Sequence, residues 1–371
     1  MEEIEQRSNR KWKKLLLLIL FAIGLLVLSI FLLVHSYISK INNSSSLKAS
    51  TQPSETQVMD LAEDTDSTEP DSPATDIENA ENEIRKNMEA NSTTILSDKN
   101  VFNILLIGTD ARTKGENSRS DAMILVSINK KKKTITATSL LRDIYLQIPG
   151  KNNNRLNAAC AFGGPRLLMD TIEQNFKVAV DRYASVDFYV FMDIVDAVGG
   201  VTINVTEEEI PIINDYIAEL NRLLGEKNEA DYLTAPGVLK LKGKQALGYA
   251  RNRYIGTDFE RTARQRRVLE QAFEKVKKLN LMELNKLLNK LLPEITTDLS
   301  EGDIFSLILS LPKYASYELN QWSIPVDNSY QFMRIRGMEV ITLDFNRNIE
   351  ALRDKIYDET ASVTQAYAPE E

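Results

Sequence analysis

The 371-residue sequence predicts an α/β domain, with a central mixed β-sheet flanked by helices, after one N-terminal transmembrane helix. Three observations lead there. A long uncharged run lies near the N-terminus. Beyond residue 100, short β-rich apolar runs are interleaved with segments of helical period. The composition is 43% hydrophobic and 26% charged, with no internal repeat, which excludes collagen-like, coiled-coil and wholly disordered chains.

Residues 15–34 (LLLLILFAIGLLVLSIFLLV) carry no charge and no proline. At about 1.5 Å rise per residue they span roughly 30 Å, the hydrocarbon thickness of a bilayer. The run is longer than the core of a cleaved signal peptide and continues as HSYISK with no A-x-A site, so an uncleaved anchor is expected. Arg7, Arg10, Lys11, Lys13 and Lys14 precede it, whereas only Lys40 follows closely. The positive-inside rule then places residues 1–14 in the cytoplasm and the rest outside, in the cell envelope.

Charge is unevenly spread. Residues 1–43 hold 6 Lys and Arg against 3 Asp and Glu, residues 44–99 hold 4 against 13, and residues 100–371 hold 35 against 37. The net charge of −8 therefore belongs to one segment. Residues 35–99, rich in Ser, Thr, Asp, Glu, Asn and Pro, read as an extracellular acidic linker, largely disordered, with a short helix over 77–90. The catalytic domain is expected over 100–358 and a flexible tail over 359–371.

Within the domain, 101–108 (VFNILLIG) suits a buried strand. Residues 122–128 and 134–139 form a hairpin across Asn129 and four lysines. Residues 143–148 read as a further strand, and 165–175 and 188–197 as helices. Gly199-Gly200 breaks the second of these before a strand at 201–205. A helix follows over 212–224. Residues 249–253 read as a strand end. Thr257 and Glu260 have capping-box spacing, so a long helix should run to about residue 279, buried through Phe259, Leu269, Phe273 and Val276. Helices are expected at 281–292, 304–311 and 346–356, and late strands at 323–325 and 339–343.

The single cysteine, Cys160, excludes an intramolecular disulfide framework, and the single histidine, His35, excludes histidine triads and histidine-rich metal sites. Chemistry must rest on carboxylates, Arg, Lys, Tyr, Ser or a borrowed metal. Asp110 ends one expected strand and Asp121 begins the next. If the strands pair, both carboxylates emerge at one rim, where they either cap turns or share a hard cation such as magnesium.

Arg251, Arg253, Arg261, Arg264, Arg266 and Arg267 place six arginines in 17 residues. Arg261, Arg264 and Gln265 share a face in the first turns of the long helix, where the dipole favours anions. Such a set is a solvated face with local salt bridges, a nucleic-acid surface, or a phosphate pocket. The envelope location and near-neutral domain argue against nucleic acid. Guanidinium forks suit phosphate oxygens. Arg142-Asp143 is either a structural ion pair or an extension of the anion site.

Taken in order, NILLIGTDAR (103–112), SRSDAMILVSIN (118–129), SLLRDIYLQIPG (139–150), RLNAACAFGGP (155–165), DFYVFMDIVDAVGGVTINV (187–205) and LKGKQALGYARNRYIGTDFERTARQRRVL (241–269) resemble the LytR-CpsA-Psr family of Gram-positive cell-envelope proteins. The resemblance implies an LCP-type α/β domain with a hydrophobic tunnel for a polyprenyl chain and an arginine-lined mouth for its diphosphate. It implies transfer of a glycopolymer (wall teichoic acid, capsular or other secondary polysaccharide) from polyprenyl diphosphate onto peptidoglycan. By match of motifs, Asp110 and Asp121 would hold Mg2+, and Arg119, Arg142, Arg251, Arg253, Arg261, Arg264 and Gln265 would surround the diphosphate. Asp110, Asp121 and Arg142 are the catalytic candidates. One departure is Leu141, where many members carry proline. A polyprenyl-diphosphate hydrolase and a non-catalytic membrane-bound regulator or scaffold are the other functional expectations. The cytoplasmic stub is too short for a DNA-binding domain.

Overall fold

The computed structural model describes residues 42–43, 69–90, 94–110, 117–357 and 363–365. Its principal elements, in chain order, are α1 (Ala74–Ala90), β1 (Val101–Thr109), β2 (Ser120–Asn129), β3 (Thr134–Leu140), α2 (Leu156–Phe176), β4 (Arg182–Val186), α3 (Phe188–Ala197), β5 (Val201–Val205), α4 (Glu209–Leu224), β6 (Gly237–Leu241), α5 (Gly243–Arg251), α6 (Asp258–Val276), α7 (Leu281–Leu291), α8 (Glu301–Tyr314), β7 (Glu318–Ile324), β8 (Tyr330–Ile335), β9 (Met338–Leu343) and α9 (Phe345–Ile356).

The main sheet is mixed. Its order is Asn42–Asn43, Thr296–Thr297, β4, β1, β2, β3, β7. β1 runs antiparallel to β2 and parallel to β4, and β3 pairs antiparallel with β2 and parallel with β7. Alternation along the strands splits their side chains between two faces. Leu105, Ile107, Met123 and Leu125 pack on one face with Leu168 and Ile172 of α2, Leu352 of α9 and the β8–β9 hairpin. On the other face, Ile128 and Ile135 pack with Tyr314 and Tyr317 at one end. Ile104, Ile124 and Ala137 are also buried on that face but belong to none of the compact apolar clusters. A separate cluster joins α3, β5, α4, α5, α6 and α7 through residues such as Val195, Ile203, Ile217, Tyr249, Val268 and Leu291.

Local signals explain several boundaries. Asp187 caps α3 by accepting from Val190 N at 2.9 Å. Thr257 and Glu260 form the expected capping box at the start of α6. Gly200 has φ +83°, and a Cβ there would lie 2.7 Å from the Leu241 carbonyl, so the α3–β5 turn requires glycine. The non-helical Gly163 and Gly164 split α2, and Pro165 opens its second part.

The structure corrects the sequence reading in several places. The folded unit begins before residue 100. α1 turns Ile77, Ala80, Ile84 and Met88 to the core, and Asn87 Nδ2 donates to the Asn175 carbonyl at 3.0 Å. The acidic composition masked an apolar stripe at helical spacing. Residues 249–251 end α5 and are not a strand, because Ala246, Tyr249 and Ala250 bury one helical face. Only Tyr145–Leu146 of the strand expected over 143–148 is extended. β6 and β8 were not foreseen. Val363–Gln365, within the expected tail, pairs with Thr94–Leu96. The uncharged run 15–34 lies outside the described residues, and among those described no helix is long and apolar enough to cross a membrane.

The largest surprise is α6. Its buried residues are Arg261, Thr262, Arg264, Val268 and Ala272, so two arginines lie on the inner face. Arg264 is answered in full. Its Nε donates to Glu209 at 2.9 Å, Nη1 to the Asn252 carbonyl at 3.2 Å and Nη2 to the Ile255 carbonyl at 3.0 Å. This pair bolts α4 to α6 and shapes the chain between α5 and α6.

Two stability measurements follow. Ile84→Ala should lower stability by about 2–5 kcal/mol in denaturant unfolding, whereas a linker helix would tolerate it without change. Arg264→Leu should cost about 3–5 kcal/mol by leaving Glu209 buried and unpaired, and adding Glu209→Leu should restore much of the loss.

Candidate active site

At the rim where β1 ends and β2 begins, the ladder slips by one residue. Gly108 opposes Ala122 but Thr109 opposes Ser120, which leaves Asp121 as the extra residue of a bulge. Bulges re-aim side chains. Asp110 follows directly, its N–H donating to the Arg119 carbonyl at 3.4 Å. Burial, and then the nearby Asp121 charge, push the Asp110 carboxyl above its ordinary value. Two carboxylates thus crowd one rim, as expected for a pair that shares a cation.

Arg142 follows β3 and closes the site. Its Nη1 donates to Asp121 Oδ1 at 3.0 Å and its Nε to Asp143 Oδ2 at 3.3 Å. Burial acts to lower its pKa, but the charges of Asp143, Asp121 and Asp258 prevail and raise it. Asp143 also faces Arg155 Nη1 at 3.6 Å. The backbone joins in: Asn157 N donates to the Arg142 carbonyl at 3.1 Å, and Ile341 N to the Asp143 carbonyl at 2.8 Å. Leu141 N donates to the Ile324 carbonyl at 3.1 Å, a bond that proline at this position would lack.

α6 brings the third component. Arg261 Nη2 lies 2.6 Å from Asp258 Oδ1 within the first turn, and the Arg261 side chain is only 5% exposed. Burial lowers the Arg261 pKa and raises that of Asp258. Both groups feel Arg142, Asp121 and Asp143. Arg261 Nε, Asp258 Oδ2 and the buried Gln265 Oε1 have no hydrogen-bond partner. Buried polar atoms left in this state mark a place for a polar ligand.

The other arginines divide by role. Arg251 stacks between Phe188 and Tyr216, 4.4 and 4.8 Å from the ring centroids, with Glu219 at 3.9 Å. Arg253 is exposed near Tyr254, and the Arg142 charge reaches it. These two stand at the opening. Arg264 does not join them, since all three of its guanidinium nitrogens are bonded inside the chain. Arg266 Nη1 donates to Ser139 Oγ at 2.7 Å and Arg267 Nη1 to Tyr249 Oη at 3.0 Å, which ties α6 to β3 and α5. Cys160 is buried, and burial followed by the Asp110 charge pushes its thiol up to about 12, so it is inert.

Sequence reasoning did not assign Asp258 or Arg155 to this site, and it left Asp143 between two roles. Asp258 read as an ordinary first-turn acid of α6, and only the packing shows it facing Arg142. Among the described residues no group of three or more His, Cys, Asp or Glu gathers as a metal cage. Two adjacent carboxylates nevertheless suit magnesium, which takes one or two and completes its shell with water and phosphate oxygens.

The LytR_cpsA_psr family model matches residues 66–351, a span that includes α1. A polyisoprenyl-teichoic acid–peptidoglycan teichoic acid transferase TagU of Enterococcus faecalis is 34% identical over 220 residues, covering 58% of this chain and 67% of that protein. The regulatory protein MsrR of Staphylococcus aureus is 30% identical over 261 residues, covering 68% and 73%. Among solved structures, the LytR-CPS2A-psr family protein YwtF (TagT) with bound octaprenyl pyrophosphate lipid is similar at 25% identity and a TM-score of 0.52, covering 70% of this chain and 91% of that one. With a family match that takes in the sheet, α1 and the whole charged rim, the chain belongs to the LytR_cpsA_psr family.

Proposed function

We propose that this chain is a membrane-anchored, extracytoplasmic phosphotransferase that moves a glycopolymer from polyprenyl diphosphate onto peptidoglycan. The observation that carries the reading is the buried rim in which Arg142 and Arg261 meet Asp121, Asp143 and Asp258 while Arg261 Nε and Gln265 Oε1 stay unpartnered. Such a site is built for an anion with several oxygen atoms. The transferase name of the Enterococcus relative and the lipid in the TagT structure support the choice of donor. So does the second face of the sheet, where Ile104, Ile124 and Ala137 offer buried apolar surface for a prenyl chain. Residues 15–34 would hold the chain in the membrane with its folded region outside.

Each group has a task. Arg142 and Arg261, with Arg119, bind the diphosphate oxygens. Arg251 and Arg253 draw the donor to the opening. Asp110 and Asp121 would hold Mg2+, which when bound neutralises phosphate charge. An acceptor hydroxyl attacks the phosphorus next to the sugar. Its proton passes to the carboxylate of Asp110 or Asp121. The bond from that phosphorus to the polyprenyl phosphate oxygen breaks, giving a phosphodiester and free polyprenyl phosphate. Charge gathers on the departing phosphate, and the fixed guanidinium groups answer it without reorganising. Asp143 and Asp258 keep Arg142 and Arg261 in place and prevent the guanidinium groups from repelling one another. Asp258 and Asp143 are positioning residues in this scheme.

The test uses purified protein, a polyprenyl-diphosphate disaccharide, short peptidoglycan chains and magnesium, with products read by mass spectrometry. A phosphodiester-linked glycan on peptidoglycan, lost on chelation, is the expected result. Free sugar phosphate with no acceptor product would make the chain a hydrolase. Arg251→Ala and Arg142→Lys should each reduce transfer by about 100-fold or more with unchanged melting temperature, and wild-type rates in both would overturn the pocket.

A further inference from the structure

One surface beside the charged rim is assigned no task by the reading above. Phe259, in the first turn of α6 next to Asp258, lies 5.2 Å from the ring of Tyr330 on β8. Tyr330 in turn meets Phe332 edge-on at 5.5 Å. Tyr330 and Phe332 are two residues apart on one strand and share its face. The series runs outward, from half-buried Phe259 to Phe332, which is 66% exposed. A large aromatic ring left open at the end of a packed series is a contact surface rather than core.

Tyr330 also borders a cleft of about 610 Å3 between α1 and the β8–β9 hairpin. Asp76, Asn79, Glu83, Asn328, Gln331 and Asp344 supply its polar wall, and no Lys or Arg lines it. Carboxylates and amides bond hydroxyl and acetamido groups in both directions. Aromatic faces receive the C–H faces of sugar rings. An anionic polymer would be repelled by the acidic wall. The chemistry therefore selects an uncharged glycan.

The platform is coupled to the rim at two points. Phe259 belongs to the same helical turn as Asp258, and Ile341 of β9 donates its N–H to the Asp143 carbonyl at 2.8 Å. Phe259 and Tyr330 pack on the core under the Leu105 and Met123 face of the sheet, whereas Ile104 and Ile124 mark the opposite face. In-line displacement requires the nucleophile to arrive opposite the leaving group. With the prenyl chain on the Ile104 face, the acceptor must come from the platform's side.

We propose that Phe259, Tyr330 and Phe332, with the cleft beside them, form the subsite for the acceptor glycan strand. The inference rests on the transferase reading for its role, but glycan binding can be measured without transfer. The full-length chain in lipid nanodiscs is titrated with the β-1,4-linked tetramer of N-acetylglucosamine. Phe332→Ala should weaken tetramer binding about tenfold, and Phe332→Tyr, which keeps the ring, should retain it. In the transfer assay Phe332→Ala should raise the half-saturating acceptor concentration by a similar factor and leave that of the lipid donor unchanged.

Equal tetramer binding by wild type and Phe332→Ala would overturn the subsite, as would a parallel loss of donor binding. If no chain transfers glycan but tetramer binding still depends on Phe332, the subsite stands and the transferase reading falls. If transfer proceeds with acceptor saturation indifferent to Phe332, the subsite falls and the transferase reading stands. A Phe332→Ala defect confined to a polypeptide acceptor would also overturn it, in favour of protein as acceptor.

Discussion

Arg142 and its neighbour Asp143 are the crossing point on which the site depends. The guanidinium spans Asp121 on β2 and Asp143 beside it. The two carbonyls receive N–H groups from α2 and β9. A charge as deeply placed as this one is tolerated only with opposite charge in contact and its donors satisfied. Its partners are therefore fixed in number and direction, and four segments remote in sequence converge on one dipeptide. The bulge at Asp121 serves the same requirement, since a regular ladder would place that carboxylate in a different register.

Two kinds of buried arginine on α6 illustrate how burial separates structure from chemistry. Arg264 satisfies all its nitrogens inside the chain and stiffens the α5–α6 connection that carries Arg253. Arg261, three residues earlier, has one carboxylate partner and an unbonded Nε. Both are nearly hidden from solvent, and both look alike in a motif. The first is complete without a ligand. The second is complete only with one.

The arrangement also separates three directions of approach. An apolar sheet face lies on one side, the arginine opening with Arg251 and Arg253 faces outward, and the aromatic series on β8 and α6 lies on the other. A reaction that joins a lipid-borne donor to a polymeric acceptor needs such a division, because donor and acceptor cannot share one entrance. The acidic wall near Tyr330 and the basic rim at Arg142 and Arg261 sort an uncharged chain from a diphosphate by electrostatics alone.

Much of this was legible in the sequence. Apolar runs bounded by turn residues located β1, β2, β3 and β5. The Thr257–Glu260 spacing set the start of α6, and Gly199-Gly200 ended α3. Asp110 and Asp121 followed from a strand ending and a strand beginning, and the density of arginines marked the anion site. These features are local, encoded in spacing and in backbone preference over a few residues. What only the tertiary structure decided is the direction and the partners of each charge. Composition hid α1, because an apolar stripe of four residues is outnumbered by acids until the core is there to receive it. Helical period placed Arg261 and Arg264 on one face but could not tell which would find Glu209. Asp258 joined the site, and Phe332 the outer surface, through contacts between segments far apart in the chain. Contacts of that kind depend on packing geometry, which no local pattern of residue types contains.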